Sequence, residues 1–237
     1  MYLLLLQFSL HNQRHPLSIT EDSINKPWRP LPSRRITVHQ TNKLLLVLYI
    51  VLVLVNIYLR IMPLFVIYTA IVFVYNDFGG GGTALRNIYN AAGFACFLSG
   101  GLHIALGRGF GNPIPHDAYR WVALMTGILV TTFHAQEFRD ARGDNAIGRR
   151  TLLTLVGATP ARVLLVMAIA FWSFFVPRWL HTAWLVTAGP YLLGAAVSAL
   201  AMLGAGKMDT RLDRRMYKSW TLWVISLSVL PWLKRVL

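Results

Sequence analysis

Residues 44–75 read LLLVLYIVLVLVNIYLRIMPLFVIYTAIVFVY, two apolar runs, Leu44–Tyr58 and Met62–Tyr75, parted only by a short break at Arg60 and Pro63. A helix at the surface of a soluble protein shows one apolar stripe, whereas these runs are apolar on every side and call for lipid around them. The break predicts a tight helical hairpin. Comparable runs recur at Ala91–Leu106, Trp121–His134, Val163–Val176, Ala183–Leu203 and Trp220–Leu233. With flanking residues, most approach the roughly 20 residues that cross a bilayer. The expected fold is all-α, a polytopic transmembrane helix bundle with about seven full spans. Met1–Leu10 is also apolar, but about ten residues do not cross a bilayer, and no basic n-region marks a signal peptide. It reads as the end of a further, partial helix, so an N-terminally truncated chain forming one domain over residues 1–237 is the expectation.

Composition agrees with a membrane protein: of 237 residues, 55% are hydrophobic and 14% charged. The net charge of +14 does not point to nucleic acid, because Lys and Arg lie in short loops between the apolar runs. Loops 12–43, 77–86, 137–162 and 204–218 hold 17 of the 23 Lys and Arg and every acid except Asp117. By the positive-inside rule that face is cytosolic. Cys96 is alone, which excludes an internal disulfide.

Five of the nine acidic residues fall in two short segments of that face. One is QEFRDARGDNAIGRR, Gln136–Arg150. As a helix it sets Glu137, Asp140 and Asp144 at i, i+3 and i+7, within roughly 60° of one another, with Arg139 and Arg142 pointing the other way. Asp140 and Asp144, four apart, repel each other, a cost that a bound cation removes. The other is HNQRHPLSITEDSINKPWRPLPSRRIT, in which Asn12 precedes Glu21 and Asp22. Its prolines, Pro16, Pro27, Pro30 and Pro32, and its Trp28 suggest a loop at headgroup level.

Carboxylates presented this way suit Mg²⁺, which takes a few protein oxygens and the rest from water and phosphate. Lys26, Arg29, Arg86, Asn87, Arg149 and Arg150 are the candidates to clasp the same phosphates. In YNDFGGGGTALRN the four glycines lack the Lys-Ser/Thr of a phosphate loop and read as a flexible turn, with Thr83 capping the next helix. One Cys and seven unclustered His argue against zinc and a Cys nucleophile; His11, His15 and His134 read as structural. Asp209 and Asp213 read as solvated partners of neighbouring arginines. Tyr68, Tyr75, Phe94 and Trp121 fit helix packing, although such rings also stabilise cations.

The pairing of Asn12…Glu21-Asp22…NKPWRPLPSRRIT with EFRDARGDNAIGRRTL, and the intervening YNDFGGGGTALRN, resembles the UbiA superfamily of intramembrane prenyltransferases over nearly the whole chain. The resemblance implies nine helices, the first of which is absent from this chain, and two acidic motifs that bind Mg²⁺ and a prenyl diphosphate. Carried over, the metal ligands are Asn12, Glu21, Asp22, Glu137, Asp140 and Asp144. Glu137 stands where Asp is usual, and Gln13, Pro16 and Thr20 stand where the first motif has acids. That altered motif looks like a fungal branch that includes membrane terpene cyclases.

The implied function is ionisation of a prenyl diphosphate, with Asp140, Asp144 and Arg86 catalytic, and transfer of the prenyl group to a small-molecule acceptor. Cyclisation of farnesyl or a similar diphosphate to a terpene is the alternative. A third reading is a non-catalytic protein binding prenyl lipid in the bilayer. The acids sit at one face rather than along a pathway, which ranks a transporter last. The expected location is the endoplasmic reticulum, as a multi-pass protein with the motif loops in the cytosol.

Overall fold

A computed structural model describes residues 1–206 and 210–236, and the described residues are helical throughout, joined by turns. Asp209 lies outside the described residues. The chain divides into two compact units, Met1–Val130 with Arg142–Thr151, and Thr131–Ala141 with Leu152–Leu237.

The first unit opens with α1 (Tyr2–Arg14) and α2 (Pro16–Asn25). Pro16 was expected to keep this segment a loop; instead it starts a helix. Proline at a first helical position loses no hydrogen bond, and its fixed φ suits the helix, so the chain breaks only at the extended His15. Two helices follow, α3 (Val38–Tyr58) and α4 (Met62–Asn76). Thr37 begins α3 with a capping box: its hydroxyl accepts from the Gln40 N–H while the Gln40 side chain accepts from the Thr37 N–H. The expected hairpin turns at Arg60, whose φ of 57° is left-handed, and Ile61 N–H closes it on the Asn56 carbonyl.

Along α3, Leu45, Leu48, Leu52 and Asn56 are buried, a stripe spaced three and four apart. Its other faces carry exposed Leu46, Val47, Ile50, Leu54 and Ile57. A helix apolar on its outward side is solvated by hydrocarbon, not water. Inside, α1 is tied down by polar contacts that lipid makes costly to leave unmade. Gln7 donates to the Tyr49 hydroxyl and the Thr69 hydroxyl, both at 3.1 Å, and Asp77 takes His11 Nδ1 at 2.9 Å and the Arg14 guanidinium.

After a short 3₁₀ turn, Gly80–Gly82, come α5 (Arg86–Ala105) and α6 (His116–Thr132). The turn is packed rather than flexible, since Gly80 and Gly81 are buried. Thr83 does not cap α5. Leu85 holds that position, and the Thr83 hydroxyl instead donates to the Gly80 carbonyl and accepts from the Leu85 N–H. Helix α7 (Ala135–Ala146) is divided between the units at Ala141.

The second unit continues with α8 (Leu152–Val156), α9 (Ala158–Leu180), α10 (Trp184–Leu203), α11 (Thr210–Ser228) and α12 (Leu230–Val236). Helices α9, α10 and α11 pack around Ile169, Val197, Met216 and Trp223, and Trp223 Nε1–H donates to Ser173 Oγ at 2.8 Å. Gly194 sits at that point because a Cβ there would stand 2.6 Å from Ser173 Oγ. Asp213 is not a solvated loop acid. It is buried and takes Arg162 of α9 at 2.6 Å, and Arg162 also lies 4.4 Å over the Phe138 ring and donates to the Ala201 carbonyl.

Helices stand at six of the predicted spans, and the seventh, Trp220–Leu233, is divided at Val229 between α11 and α12. Among the described residues four, α3, α5, α9 and α10, are long and apolar enough to cross a bilayer, and α4 is a shorter apolar helix of 15 residues. Helix α6 has 17 residues, and α11 begins with a charged turn.

Candidate functional site

In the first unit, three carboxylates from the two acidic segments are buried: Glu21 and Asp22 on α2, and Asp144 on α7. None is bare. Arg149, in the turn after α7, donates from one nitrogen, Nη1, to Glu21 Oε2 at 2.6 Å and to Asp144 Oδ1 at 2.7 Å. Glu21 and Arg149, 128 positions apart in the chain, are thus joined, and the same guanidinium links Glu21 to Asp144. Arg86 completes Asp144 by donating to Oδ2 at 2.9 Å and to the Tyr75 hydroxyl at 3.2 Å. Arg29 takes both oxygens of Asp22, at 2.9 and 2.8 Å, and Lys26 Nζ stands 3.8 Å from Glu21 and 4.0 Å from Asp22.

Local sequence explains this convergence. Pro16 starts α2 so that Glu21 and Asp22 fall on its buried face together with Ser18. The α2 segment reaches α7 at Gly143, where a Cβ would lie 2.3 Å from Asn25 Nδ2 and 2.7 Å from Glu21 Cγ. The Gly143 N–H donates to Asn25 Oδ1 at 3.2 Å. The turn that carries Arg149 is fastened to the glycine turn by the Arg150 N–H, which donates to the Gly82 carbonyl at 2.9 Å. The Arg150 side chain is exposed.

Beside this cluster is a cavity of about 210 Å³ whose polar lining comes from Asn12, His15, Asn76 and Arg149, with Leu17, Tyr75, Ile147, Gly81 and Gly82 beside them. Asn12 donates there to Asn76 Oδ1 at 3.1 Å. An apolar cavity of about 110 Å³ is lined by Leu5, Phe8, Tyr68, Tyr75, Phe94 and Phe97. Tyr75 lines both. Its ring is held by Phe8, 5.3 Å away between centroids, and by Gly81, where a Cβ would approach to 2.7 Å. Asn87, in the first turn of α5, is buried with its Oδ1 unpaired among the described residues.

In the second unit, Glu137 and Asp140 are buried on α7. Glu137 Oε2 accepts from the Leu153 N–H at 2.9 Å, so it caps the start of α8. Arg139 does not point away from the acids. It curls onto Asp140 with two hydrogen bonds, 2.8 and 2.7 Å, and lies 4.1 Å over the Tyr217 ring. Burial works against its charge, but the bonds to Asp140 and the neighbouring Tyr217 outweigh this and raise its pKa. His134 Nε2–H donates to the Ala161 carbonyl at 3.2 Å, a structural role.

The spacing thus anticipated the acidic face of α7, whose three acids are all buried. It missed Tyr75 as a site residue, although Tyr68 and Tyr75, seven apart on an apolar helix, share a face. No three His, Cys, Asp or Glu side chains form a ready metal cluster among the described residues. The donor set nevertheless fits a hard divalent cation: buried carboxylates from two segments already meet on a positive group, and the orphaned Asn87 oxygen adds an acceptor.

Comparisons with known proteins bear on what this arrangement serves. The chain is 32% identical to the fumagillin beta-trans-bergamotene synthase of Aspergillus fumigatus, covering 96% of this chain and 76% of that protein. It is 26% identical to the somaliensene A/B synthase of Streptomyces somaliensis, over 92% of this chain and 72% of the synthase. A polyprenyl transferase of Hericium erinaceus is 30% identical over 67% of this chain and 53% of its own length. No solved structure matches. The UbiA prenyltransferase family matches residues 15–232, from the end of α1 into α12. This integral membrane protein therefore belongs to the UbiA prenyltransferase family, as the two acidic segments anticipate.

Proposed function

We propose that the protein is a Mg²⁺-dependent intramembrane terpene cyclase that ionises a prenyl diphosphate and closes the resulting allylic cation on itself. The observation that carries this reading is the junction of Glu21, Arg149 and Asp144: acids and bases from both segments are gathered at one buried point beside a cavity. Glu21, Asp22 and Asp144, with Asn12, are assigned in the first unit to hold the metal, which when bound supplies positive charge to the leaving diphosphate; Glu137 and Asp140, in the second unit, keep the assignment that the family's second motif gives them.

The chain's own residues do the remainder. Arg86, Arg29, Lys26, Arg149 and Arg150, with Asn87, bind and orient the phosphates. The C–O bond breaks with both electrons leaving on the diphosphate. The hydrocarbon then lies against the apolar cavity, where Tyr68, Tyr75 and Phe94 present π faces and exclude the water that would trap the cation. Ring closure forms a C–C bond within the prenyl chain, and loss of a proton gives a neutral terpene.

Similarity to two proteins named as terpene synthases supports cyclisation. Transfer to an acceptor is the second reading, favoured by the similarity to a polyprenyl transferase. Location in the endoplasmic reticulum, with the motif loops in the cytosol, and a role in secondary metabolism are part of the proposal.

Product analysis separates the two. Microsomes containing the full chain are incubated with farnesyl or geranylgeranyl diphosphate and Mg²⁺. A released hydrocarbon is expected, made without added acceptor and lost on chelation. A product that forms only with an acceptor would establish transfer. Asp140→Ala is expected to lower turnover by about 10–100-fold, on the scale of losing a metal ligand's support; full turnover would refute its metal role.

A further inference from the structure

Arg149 is the cation that now joins the two acidic segments, and a divalent ion held by Glu21 and Asp144 would compete with its charge. Two like-charged groups cannot share one pair of buried carboxylates without strong repulsion. Entry of the metal therefore has to move the guanidinium. The surroundings give it somewhere to go, because Arg149 also lines the polar cavity with Asn12, Asn76 and Gly82, and it stands in the turn after α7, its N–H on the Asp144 carbonyl, rather than within a helix. Gly82 does not crowd it, since even a Cβ there would stand 3.8 Å from Arg149 Cγ.

Arg86 is different. It is held in the first turn of α5, is more deeply buried, and is tied to Tyr75 as well as Asp144. Arg29 and Lys26 stand at the first segment, beside Asp22 and Glu21. Arg149 bridges carboxylates of both segments from one atom, Nη1.

We propose that Arg149 is the resident counter-ion of the metal site, a positioning residue that holds Glu21 and Asp144 together until a divalent metal takes over the bridge. Displaced, its guanidinium turns into the polar cavity and meets the diphosphate. Charge is exchanged rather than added: the acids are never left unneutralised, and the phosphate clamp forms only after the metal is in place. This rests on the metal–diphosphate reading above and adds an order of events and a competition to it.

The competition has a sign that a structural role or a simple phosphate contact does not share. In Arg149→Gln the metal no longer displaces a cation, so Mn²⁺ binding measured by EPR on the purified full chain, without diphosphate, is expected to tighten severalfold. In the same variant, a non-hydrolysable prenyl thiodiphosphate at saturating Mg²⁺ is expected to bind severalfold more weakly. Thermal unfolding without metal falls, and Mg²⁺ restores it.

Arg149→Lys, a point charge without the planar fork, shifts both affinities in the same directions by less, and serves if the Gln variant does not fold. Arg142→Gln removes an exposed charge from α7 near the site and is expected to leave metal affinity unchanged. Metal binding that is unchanged or weakened in both Arg149 variants would overturn the proposal. So would equal tightening in Arg142→Gln, which would make the effect one of general charge. If the wild-type chain binds no divalent metal, the metal reading itself fails, and this inference with it.

Discussion

Asp144 is the residue on which the candidate site turns, because it is nearly fully buried and two guanidinium groups divide its oxygens between them. Burying three carboxylates costs several kcal/mol each unless they are paired and hydrogen-bonded, and here each has at least one cation. The pairing does more to hold a defined geometry than to add stability, since a buried ion pair roughly balances its own desolvation. Removing one member is another matter. Asp144→Asn withdraws the carboxylate shared by Arg86 and Arg149 and leaves their charges crowded together. It is expected to destabilise the protein by about 3 kcal/mol, the lower end for breaking a buried pair, and to abolish metal binding. Thermal unfolding in detergent and Mn²⁺ EPR read the two effects; an unchanged melting temperature would show that Asp144 is not the anchor. Glu21→Gln keeps the Arg86 pair and is expected to cost less. Asp144 was legible as a candidate ligand from its spacing on α7, but its ion partners were not. Arg86 and Arg149 are 58 and 5 positions away, and nothing in the sequence says which of the many loop arginines will turn inward.

At the scale of elements, α2 and the glycine turn bring the polar groups together, and each was hidden by a local rule that tertiary structure overrides. Proline reads as a helix breaker, yet at the first turn of α2 it is a helix starter. Four glycines read as slack, yet Gly81 is the seat of the Tyr75 ring. Gly79 shows the other use of glycine, since its φ of 75° is left-handed. Gly143 gives α2 its closest approach to α7. A methyl there collides with the Cγ of Glu21, which lies too near its own backbone to swing aside, as well as with Asn25. Gly143→Ala is accordingly expected to cost about 1–3 kcal/mol by overpacking and to weaken metal binding with it. Gly81→Ala, driven against Tyr75, is expected to cost a similar amount, whereas Gly82→Ala, with no close neighbour, is expected to lie within about 0.5 kcal/mol of wild type. Denaturation of the three variants side by side is the check. If Gly82→Ala proves as harmful as Gly81→Ala, the flexibility of the turn, not its packing, is what matters.

For the molecule as a whole, the helical spans were legible because lipid imposes a simple rule: every side of a spanning helix is apolar and every backbone group is satisfied within it. The limits of the spans were less so, since α4 and α6 stop at 15 and 17 residues, and within the apolar runs Gln7 reaches Tyr49 and Thr69 through polar contacts. Orientation follows from charge and from the first unit's own geometry. Arg86 enters α5 at the acidic cluster, and 20 helical residues, about 30 Å, carry the chain to the loop of Arg108. That distance is the thickness of the hydrocarbon core. The far loop touches the α3–α4 turn, where the Phe110 N–H donates to the Arg60 carbonyl at 2.7 Å, so both turns belong to one side. The turn of Arg34 and Arg35, just before the Thr37 cap, lies at the opposite end of α3. Since most Lys and Arg lie with the acidic segments, that side is expected to face the cytosol. Cys96, the single cysteine, makes the test clean. On a Cys96→Ser background, Arg34→Cys in sealed microsomes is expected to react at once with a membrane-impermeant maleimide. Arg108→Cys is expected to react only after detergent opens the vesicles, both positions being exposed. Immediate labelling of Arg108→Cys with protection of Arg34→Cys would invert the topology and put the diphosphate site on the lumenal side.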